Sequence, residues 1–420
     1  MKLKHKFKNT FSSKKAYIYY LLGEGCSKGV VFLLLAFYTN NLTKPEFGTL
    51  SLFWVAVPLF SVLVDFSQRS YVKYYSIHND KRTSELLYSL QVFSIFIALT
   101  YLIVFALKDM ANIYIIGRVP DYYIVTTAAL FAIIELHLSF FQIKGNYIKY
   151  NIVFVLRNAF PYILGALWFF CFSNSIHAFM AIQCLLLFGL SCYLFFSLNI
   201  KFPKFKTIRE DIVNGLVFSF PFIPAMISVL ALSFSDRFII NYFYSEVEVA
   251  DYTVAYTISS VFIAFFMATN KMWQKYILEN LKLGNTNKIS AASKKYILLV
   301  ASIGVLVYLF RSILLKFMSN ESYAGVAEMI PILLLGMFFY FLYTVLSNIP
   351  FYHKNTYLMV VPAIIAAVIN IILNFLLLPD FGYKIAAVTT TISYGIEFVI
   401  IYFICLSKYK TDILLNIKIG

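Results

Sequence analysis

Charged residues within long apolar stretches are the first candidates for chemistry in this sequence. Glu24 and Lys28 lie four positions apart in one such stretch, and Asp65 and Arg69 repeat the spacing in the next. On a helix this spacing places acid and base on the same face, with the acid first, which is the favourable order for an ion pair. The two pairs therefore predict intrahelical ion pairs in surroundings that are otherwise apolar.

The depth of the first pair points to a functional role. An ionisable side chain in the middle of a membrane helix costs about 2.5 to 3.5 kcal/mol, so it usually faces protein or a water-filled cavity. Lys28 lies about 18 Å along a helix that begins near Ala16, too deep for its amine to reach the interface easily. Each pair also has a structural alternative that stays open. Glu24 and Lys28 neutralise each other and so ease insertion, without a further role. Asp65 and Arg69 anchor the end of their helix at the interface.

Other ionisable groups stand alone in apolar stretches, namely Arg157, Arg311, Glu135, His137 and Glu397. A lone buried histidine is more often a packing residue than a proton relay. The sequence has no HExxH, GxSxG or Walker A motif, and its cysteines lack CxxC spacing. We therefore predict neither catalytic residues nor a metal site, and we expect a protein that is not an enzyme.

The composition requires lipid as the solvent for the helices that carry these residues. The chain has 420 residues, of which 61% are hydrophobic and 13% are charged, and its mean hydropathy is +0.78. Soluble domains are about 25% charged. Residues 89–106 and 178–200 contain no charged side chain, and each stretch is close to the length that crosses a bilayer. Soluble enzymes, secreted domains and nucleic-acid-binding modules are excluded, so no nucleic acid partner is expected.

The apolar stretches divide the chain into twelve candidate membrane helices. They begin near Ala16, Phe47, Leu86, Tyr123, Asn151, Ala178, Asn214, Tyr252, Tyr296, Val326, Tyr357 and Lys384. An even number places both termini on one side, and most of the 35 lysines and arginines lie on that side. The positive-inside rule then predicts cytoplasmic termini. We expect an all-α integral membrane protein with a six-helix lobe at 1–200, a cytoplasmic linker at 201–213 and a second six-helix lobe at 214–420.

Several short segments together resemble a known family. The pattern Asn-x-x-Leu-Asn at residues 370–374 is followed by Pro-x-x-Gly at 379–382 and by Ala-Ala at 386–387. The seventh helix carries Pro221 and Pro224 and leads to Asp236-Arg237, and the first outward turn reads Pro-Glu-Phe-Gly at 45–48. In this order the segments resemble the Wzx-type polysaccharide flippases of the multidrug/oligosaccharidyl-lipid/polysaccharide exporter superfamily. Ser67 stands where that family usually has glycine.

The resemblance implies a MATE-like fold, in which two six-helix lobes alternate in opening a central cavity to either side. It also implies a substrate, an oligosaccharide repeat unit joined by an anionic pyrophosphate to a polyprenyl carrier. This substrate is flipped across the bacterial inner membrane for O-antigen or capsule synthesis. The implied partners are membrane lipid and other polysaccharide assembly proteins. No cofactor is implied, and proton or sodium coupling stays open.

An anionic pyrophosphate requires cations in the cavity, and arginine suits bidentate contact with phosphate. The predicted binding cations are Lys28, Arg157, Arg237 and Arg311. The predicted supporting or coupling residues are Glu24, Asp65, Arg69, Asp236, Asn370 and Asn374. For the two asparagines, hydrogen bonding between helices is the favoured alternative.

Two other function classes stay open. An ion-coupled antiporter of drugs or other cations shares the superfamily fold, but its site should be acidic, whereas the charges within these apolar stretches are mixed and slightly basic. An integral-membrane polysaccharide polymerase normally needs a large extramembrane loop, and the predicted outward loops are short. The sequence therefore favours a flippase.

Overall fold

The protein is described by a computed structural model that covers residues 23, 25, 27–78, 82–110, 119–172, 175–198 and 203–409. Within these residues the chain is helical and contains no strand. The first helix, α1, is described continuously over residues 27–41. Glu24 lies outside the described residues, so its predicted pairing with Lys28 stays a prediction.

Fifteen further α-helices follow in the described part of the chain. They are α2 (Lys44–Asp65), α3 (Arg69–His78), α4 (Thr83–Met110), α5 (Asp121–Ile143), α6 (Tyr147–Asn158), α7 (Phe160–Cys171), α8 (Ile176–Phe196), α9 (Phe205–Ser219), α10 (Ile223–Phe243), α11 (Glu246–Lys282), α12 (Thr286–Leu309), α13 (Arg311–Met318), α14 (Met329–Tyr352), α15 (Tyr357–Phe381) and α16 (Ile385–Tyr409). A 3₁₀ turn, Phe220–Phe222, joins α9 to α10.

Eleven segments in the described residues are long and apolar enough to cross a membrane. They correspond in order to the second to twelfth predicted helices, so this part of the prediction is confirmed. Two of the crossing segments are broken in the middle. One divides into α6 and α7 beside Pro161, and the other into α9 and α10 at Pro221 and Pro224. Proline lacks the N–H that would continue the helical ladder, so it marks both breaks.

The chain forms two compact units, and each has its own core. Unit 1 comprises residues 1–42 and 49–227, and unit 2 comprises residues 43–48 and 228–420. In unit 1, Ile134 and Leu138 of α5 pack with Leu187 of α8. In unit 2, Leu232 of α10 packs with Tyr394 of α16 and with alanines of α15. Small side chains permit such close approach between membrane helices.

Helix α9 begins within the segment that we predicted as a linker. It starts at Phe205, and Asp211 in its second turn attaches it to the start of α4. The Ser89 hydroxyl donates a hydrogen bond of 3.0 Å to the Asp211 carboxylate, and Arg82 lies 3.6 Å from the same group. Gly215 packs against Tyr71 one turn later. Residues 205–213 of the predicted linker are therefore helical and belong to unit 1.

Candidate functional site

Four charged side chains from four helices form one network in unit 1. Asp65 ends α2 and lies 3.9 Å from Arg69 at the start of α3. Arg69 reaches the Glu135 carboxylate of α5 at 3.8 Å. Arg157, near the end of α6, donates a hydrogen bond to the other oxygen of Glu135. The local Asp65–Arg69 pair predicted from spacing is thus one part of a larger cluster.

The two arginines of the network are partly buried and incompletely paired. Arg157 is 12% exposed, and its guanidinium lies 4.9 Å from the ring of Phe131. The Nε atoms of Arg69 and Arg157 are buried and have no hydrogen-bond partner among the described residues. Unpaired buried donors are costly, and each of these two N–H groups retains the capacity to donate one hydrogen bond. The Phe131 ring packs on the guanidinium of Arg157, and the Nε–H of that guanidinium has no acceptor among the described residues.

Lys73 adds a positive charge beside this network. It lies one turn after Arg69 on α3, and burial lowers the pKa of its amine. The nearby Glu135 carboxylate opposes that effect and raises the pKa, because it stabilises the charged amine. Together with the four other residues, a charged Lys73 gives the cluster a net charge of about +1. An anion is therefore the favoured ligand class for this part of unit 1.

A strained turn aims the Asp65 carboxylate at Arg69. Phe66 and Ser67 both have positive φ angles, of 47° and 58°. The Ser67 backbone N–H donates a 2.8 Å hydrogen bond to Asp65, which fixes the carboxylate. Residues other than glycine pay a steric penalty in this region. The positive φ angle of Ser67 gives a physical reason why the flippase family that this sequence resembles usually has glycine at position 67.

A second polar centre surrounds Asp236 on α10 in unit 2. The Asp236 carboxylate is fully buried and accepts three hydrogen bonds of 2.6 to 2.7 Å. The donors are the Tyr252 hydroxyl of α11, the Asn374 amide of α15 and the Thr390 hydroxyl of α16. Asn370 extends the centre, because its carbonyl oxygen accepts from Asn374 at 3.2 Å. The carboxylate connects four helices of the unit.

Arg237 points away from the neighbouring Asp236 carboxylate. It is 4% exposed, and its Nε donates a 3.0 Å hydrogen bond to Thr253. Its guanidinium lies 4.7 Å from the ring centre of Tyr256. No ion pair of Arg237 occurs within the described residues, so hydrogen bonds and aromatic faces solvate this charge.

The predicted site residues fall into separate groups. Asp65, Arg69 and Arg157 belong to the unit 1 network, while Asp236, Arg237, Asn370 and Asn374 belong to the unit 2 centre. Lys28 lies on an exposed part of α1.

Arg311 lies beyond the long helix of the ninth predicted span. The crossing segment ends at Leu309, and Arg311 begins the short helix α13. Phe310 interrupts the helix, and Arg311 turns back to donate to the Tyr308 carbonyl at 2.9 Å.

Sequence reasoning overlooked the central member of the unit 1 network. Glu135 looked like an isolated acid because its partner Arg157 is 22 positions away and on another helix. Tyr252 was overlooked in unit 2 because its partner Asp236 is also distant in sequence and on another helix. The one available signal was the burial cost of an acid on an apolar helix, which requires a partner but does not identify it.

Neither centre has the ligands of a metal site. No group of three His, Cys, Asp or Glu residues that could hold a metal ion occurs in the part of the chain that the structure describes. The Asp236 carboxylate has only neutral oxygen and nitrogen neighbours, and these already donate hydrogen bonds to it. Its arrangement is that of a satisfied hydrogen-bond network.

Comparison with known proteins gives matches along most of the chain. The family model described as "Polysaccharide biosynthesis protein" matches residues 13–271, and the MatE model matches residues 221–376. An uncharacterised membrane protein of Methanocaldococcus jannaschii is 24% identical over 92% of this chain and 82% of its own length.

Two solved structures share the fold. An inward-facing multidrug resistance MATE family transporter of the MOP superfamily superimposes with a TM-score of 0.68 at 12% identity, over 90% of this chain and 93% of its own. The lipid II flippase MurJ, in an inward closed conformation, gives 0.61 at 15% identity, over 94% of this chain and 86% of its own.

Proposed function

This chain belongs to the polysaccharide biosynthesis protein family, within a superfamily of multi-pass membrane transporters and flippases, and we propose that it flips a polyprenyl-pyrophosphate-linked oligosaccharide. The lipid moves from the cytoplasmic to the outer leaflet of a bacterial inner membrane by alternating access. Its repeat unit is then used for O-antigen or capsule synthesis. Both termini are cytoplasmic in this proposal, as the distribution of basic residues predicts.

The unit 1 network supports an anionic substrate. The observation that carries the proposal is Arg157, a partly buried cation on a membrane helix whose Nε has no partner among the described residues. Arg69 has the same unpaired atom, and Lys73 supplies further positive charge. Guanidinium groups bind phosphate oxygens through short, charge-assisted hydrogen bonds. A pyrophosphate is the part of the proposed substrate that matches these donors.

Glu135 has a distinct part in this mechanism. In the absence of substrate its carboxylate holds Arg69 and Arg157 in position, so neither cation needs to reorganise before binding. Pyrophosphate then contacts the free Nε edges, and the attraction is strengthened because the surroundings have a low dielectric constant. The carboxylate also limits affinity by partly neutralising the arginines. Limited affinity allows the lipid to leave on the outer side.

Transport also needs a driving force. An inside-negative membrane potential favours outward movement of an anion by about 2.3 kcal/mol per charge for each 100 mV. We include proton or sodium coupling in the proposal as an additional source. Membrane lipid and other polysaccharide assembly proteins remain the proposed partners.

Replacement of Arg157 in cells that lack the chromosomal copy of the gene tests the proposal. Arg157→Gln should abolish surface polysaccharide and cause the lipid-linked oligosaccharide to accumulate on the cytoplasmic leaflet. Arg209→Gln is the matched control, because Arg209 is an exposed arginine of α9 outside the network. Membrane levels of both variants are measured by immunoblot. Normal surface polysaccharide with Arg157→Gln would exclude this arginine from the site.

The remaining predicted cations are tested in the same way. Lys28→Gln, Arg237→Gln and Arg311→Gln should each reduce export if the residue contacts the substrate. Membrane insertion of each variant is measured at the same time, since loss of the buried Arg237 also removes its hydrogen bond to Thr253.

An ion-coupled cation antiporter is the second candidate function. Two buried carboxyl groups in unit 2, Asp236 and Glu397, favour it, because a cationic substrate requires acids in its path. Efflux of a cationic dye separates the two functions. If deletion of the gene abolishes dye efflux and leaves surface polysaccharide intact, the flippase proposal is wrong.

A further inference from the structure

Glu397 is a buried acid that the proposed pyrophosphate site does not use. It lies midway along α16 (Ile385–Tyr409) and is 2% exposed. Its Oε2 atom is buried and has no hydrogen-bond partner within the described residues. In contrast, the Asp236 carboxylate of the same unit accepts three hydrogen bonds. Among the described residues, Glu397 is therefore a buried acid with one carboxylate oxygen that no hydrogen bond compensates.

The groups that face Glu397 are tyrosines. Tyr340 and Tyr343 approach it from α14, and Tyr394 approaches it from its own helix. The Tyr343 hydroxyl is already engaged, because it donates a 2.8 Å hydrogen bond to the Met359 carbonyl. Helix α15 also packs against α16, but residues 358–379 of α15 contain no acid, base or tyrosine. No ion pair of Glu397 occurs among the described residues.

A charged carboxylate in such surroundings is strongly disfavoured. An isolated ion in a low-dielectric interior loses its hydration, and only a counter-ion or several hydrogen bonds can replace it. Glu397 has neither for its Oε2 atom. A sodium ion would need several oxygen ligands at short distance, and no described side chain or carbonyl lies within hydrogen-bond distance of Oε2. A proton needs only the carboxylate itself.

From this geometry we infer that Glu397 carries the proton that couples transport to a proton gradient. The inference rests on the proposed function, since it names the coupling ion of that transporter. In the resting state the carboxyl holds its proton. When water reaches it from the cytoplasmic side, the carboxylic O–H bond breaks, the electron pair stays on oxygen and the proton passes to water. The carboxylate then takes up a proton from the outer side.

A chain of side chains connects Glu397 to the guanidinium of Arg237. Tyr394 is in polar contact with Tyr256 of α11. The Tyr256 ring in turn lies 4.7 Å from the guanidinium of Arg237. A negative charge formed at Glu397 therefore acts through Tyr394 on Tyr256, whose ring packs against Arg237. Loss of the proton can in this way bias the packing of α10, α11 and α16 within the unit.

Infrared difference spectroscopy of the reconstituted protein tests the protonation of Glu397 directly. Wild-type protein at neutral pH should show a carboxylic acid C=O band that shifts in D₂O and is lost in Glu397→Gln. Glu279→Gln should keep the band, because the Glu279 side chain is 63% exposed and lies outside the buried surroundings of Glu397. Glu397→Asp should keep a shifted band. An undiminished band in Glu397→Gln would show that Glu397 is ionised and would overturn the inference.

A transport assay tests the coupling. Lipid-linked oligosaccharide extracted from cells that lack the gene is placed in vesicles, and its arrival in the opposite leaflet is measured with and without a pH gradient. The gradient should accelerate wild type, and Glu397→Gln should show the same rate with and without it. Equal acceleration of Glu397→Gln and wild type would overturn the inference. A wild-type protein that does not move this lipid at all would instead contradict the proposed function.

Discussion

The shared carboxylate of Glu135 allows a quantitative test of the unit 1 network. Glu135→Gln removes the counter-charge of Arg157 and of Arg69 while it preserves side-chain shape. Breaking a fully buried pair costs about 3 to 5 kcal/mol, and an exposed pair about 0 to 1. Since the side chains of Glu135 and Arg157 are 25% and 12% exposed, we expect each single substitution to lower the free energy of unfolding by about 2 kcal/mol.

The double substitution separates pairing from other effects. Glu135→Gln combined with Arg157→Gln leaves two neutral amides, so its loss should be about 2 kcal/mol, well below the sum of the single losses. Unfolding in mixed micelles, followed by tryptophan fluorescence, measures all three variants. Transport should fall further with Arg157→Gln than with Glu135→Gln, because only the first removes a ligand of the pyrophosphate. Strictly additive stabilities would refute the pairing, and the reverse order of transport would refute the anionic substrate.

Three further substitutions have effects that follow from local geometry. Ser67→Gly should raise the free energy of unfolding by about 1 kcal/mol, because it relieves the strain of a positive φ angle; a lower thermal midpoint would contradict this. Gly48→Ala should lower the free energy of unfolding by about 2 kcal/mol, since an added Cβ would overlap the backbone carbonyl of Glu246. An unchanged midpoint in a thermal scan would show that the backbone at Gly48 and at Glu246 moves apart easily. Asn374→Ala should cost about 2 kcal/mol, because it leaves one oxygen of the buried Asp236 without its donor, and full stability in urea would show that water replaces the amide.

The membrane spans were predictable because the bilayer imposes a simple condition. A crossing helix must be about 20 residues long and apolar, and this condition can be read locally from the sequence. The second to twelfth predicted helices accordingly correspond to the eleven crossing segments of the described chain. The ion pair of Asp65 and Arg69 was predictable for the same local reason, since its members are one helical turn apart.

Other features depended on how helices end and bend, which apolar patterns do not reveal. Arg311 looked like a residue within a span because the apolar character continues past it. The backbone at Phe310 interrupts the helix, however, and places Arg311 at the start of α13. Likewise, the charged segment near residue 205 is helical, and Asp211 attaches it to α4.

The sequence by itself determined the class of this protein, because lipid leaves every uncovered backbone amide unsatisfied and so permits few structures for long apolar segments. It also identified which charged residues are too costly to be incidental. Only the tertiary structure decided their partners. Glu135 meets Arg157, and Asp236 meets Thr390 across 154 positions, because of the rotation and depth at which the helices pack. Those two quantities are set by side chains along the entire contact between helices, and no local spacing encodes them.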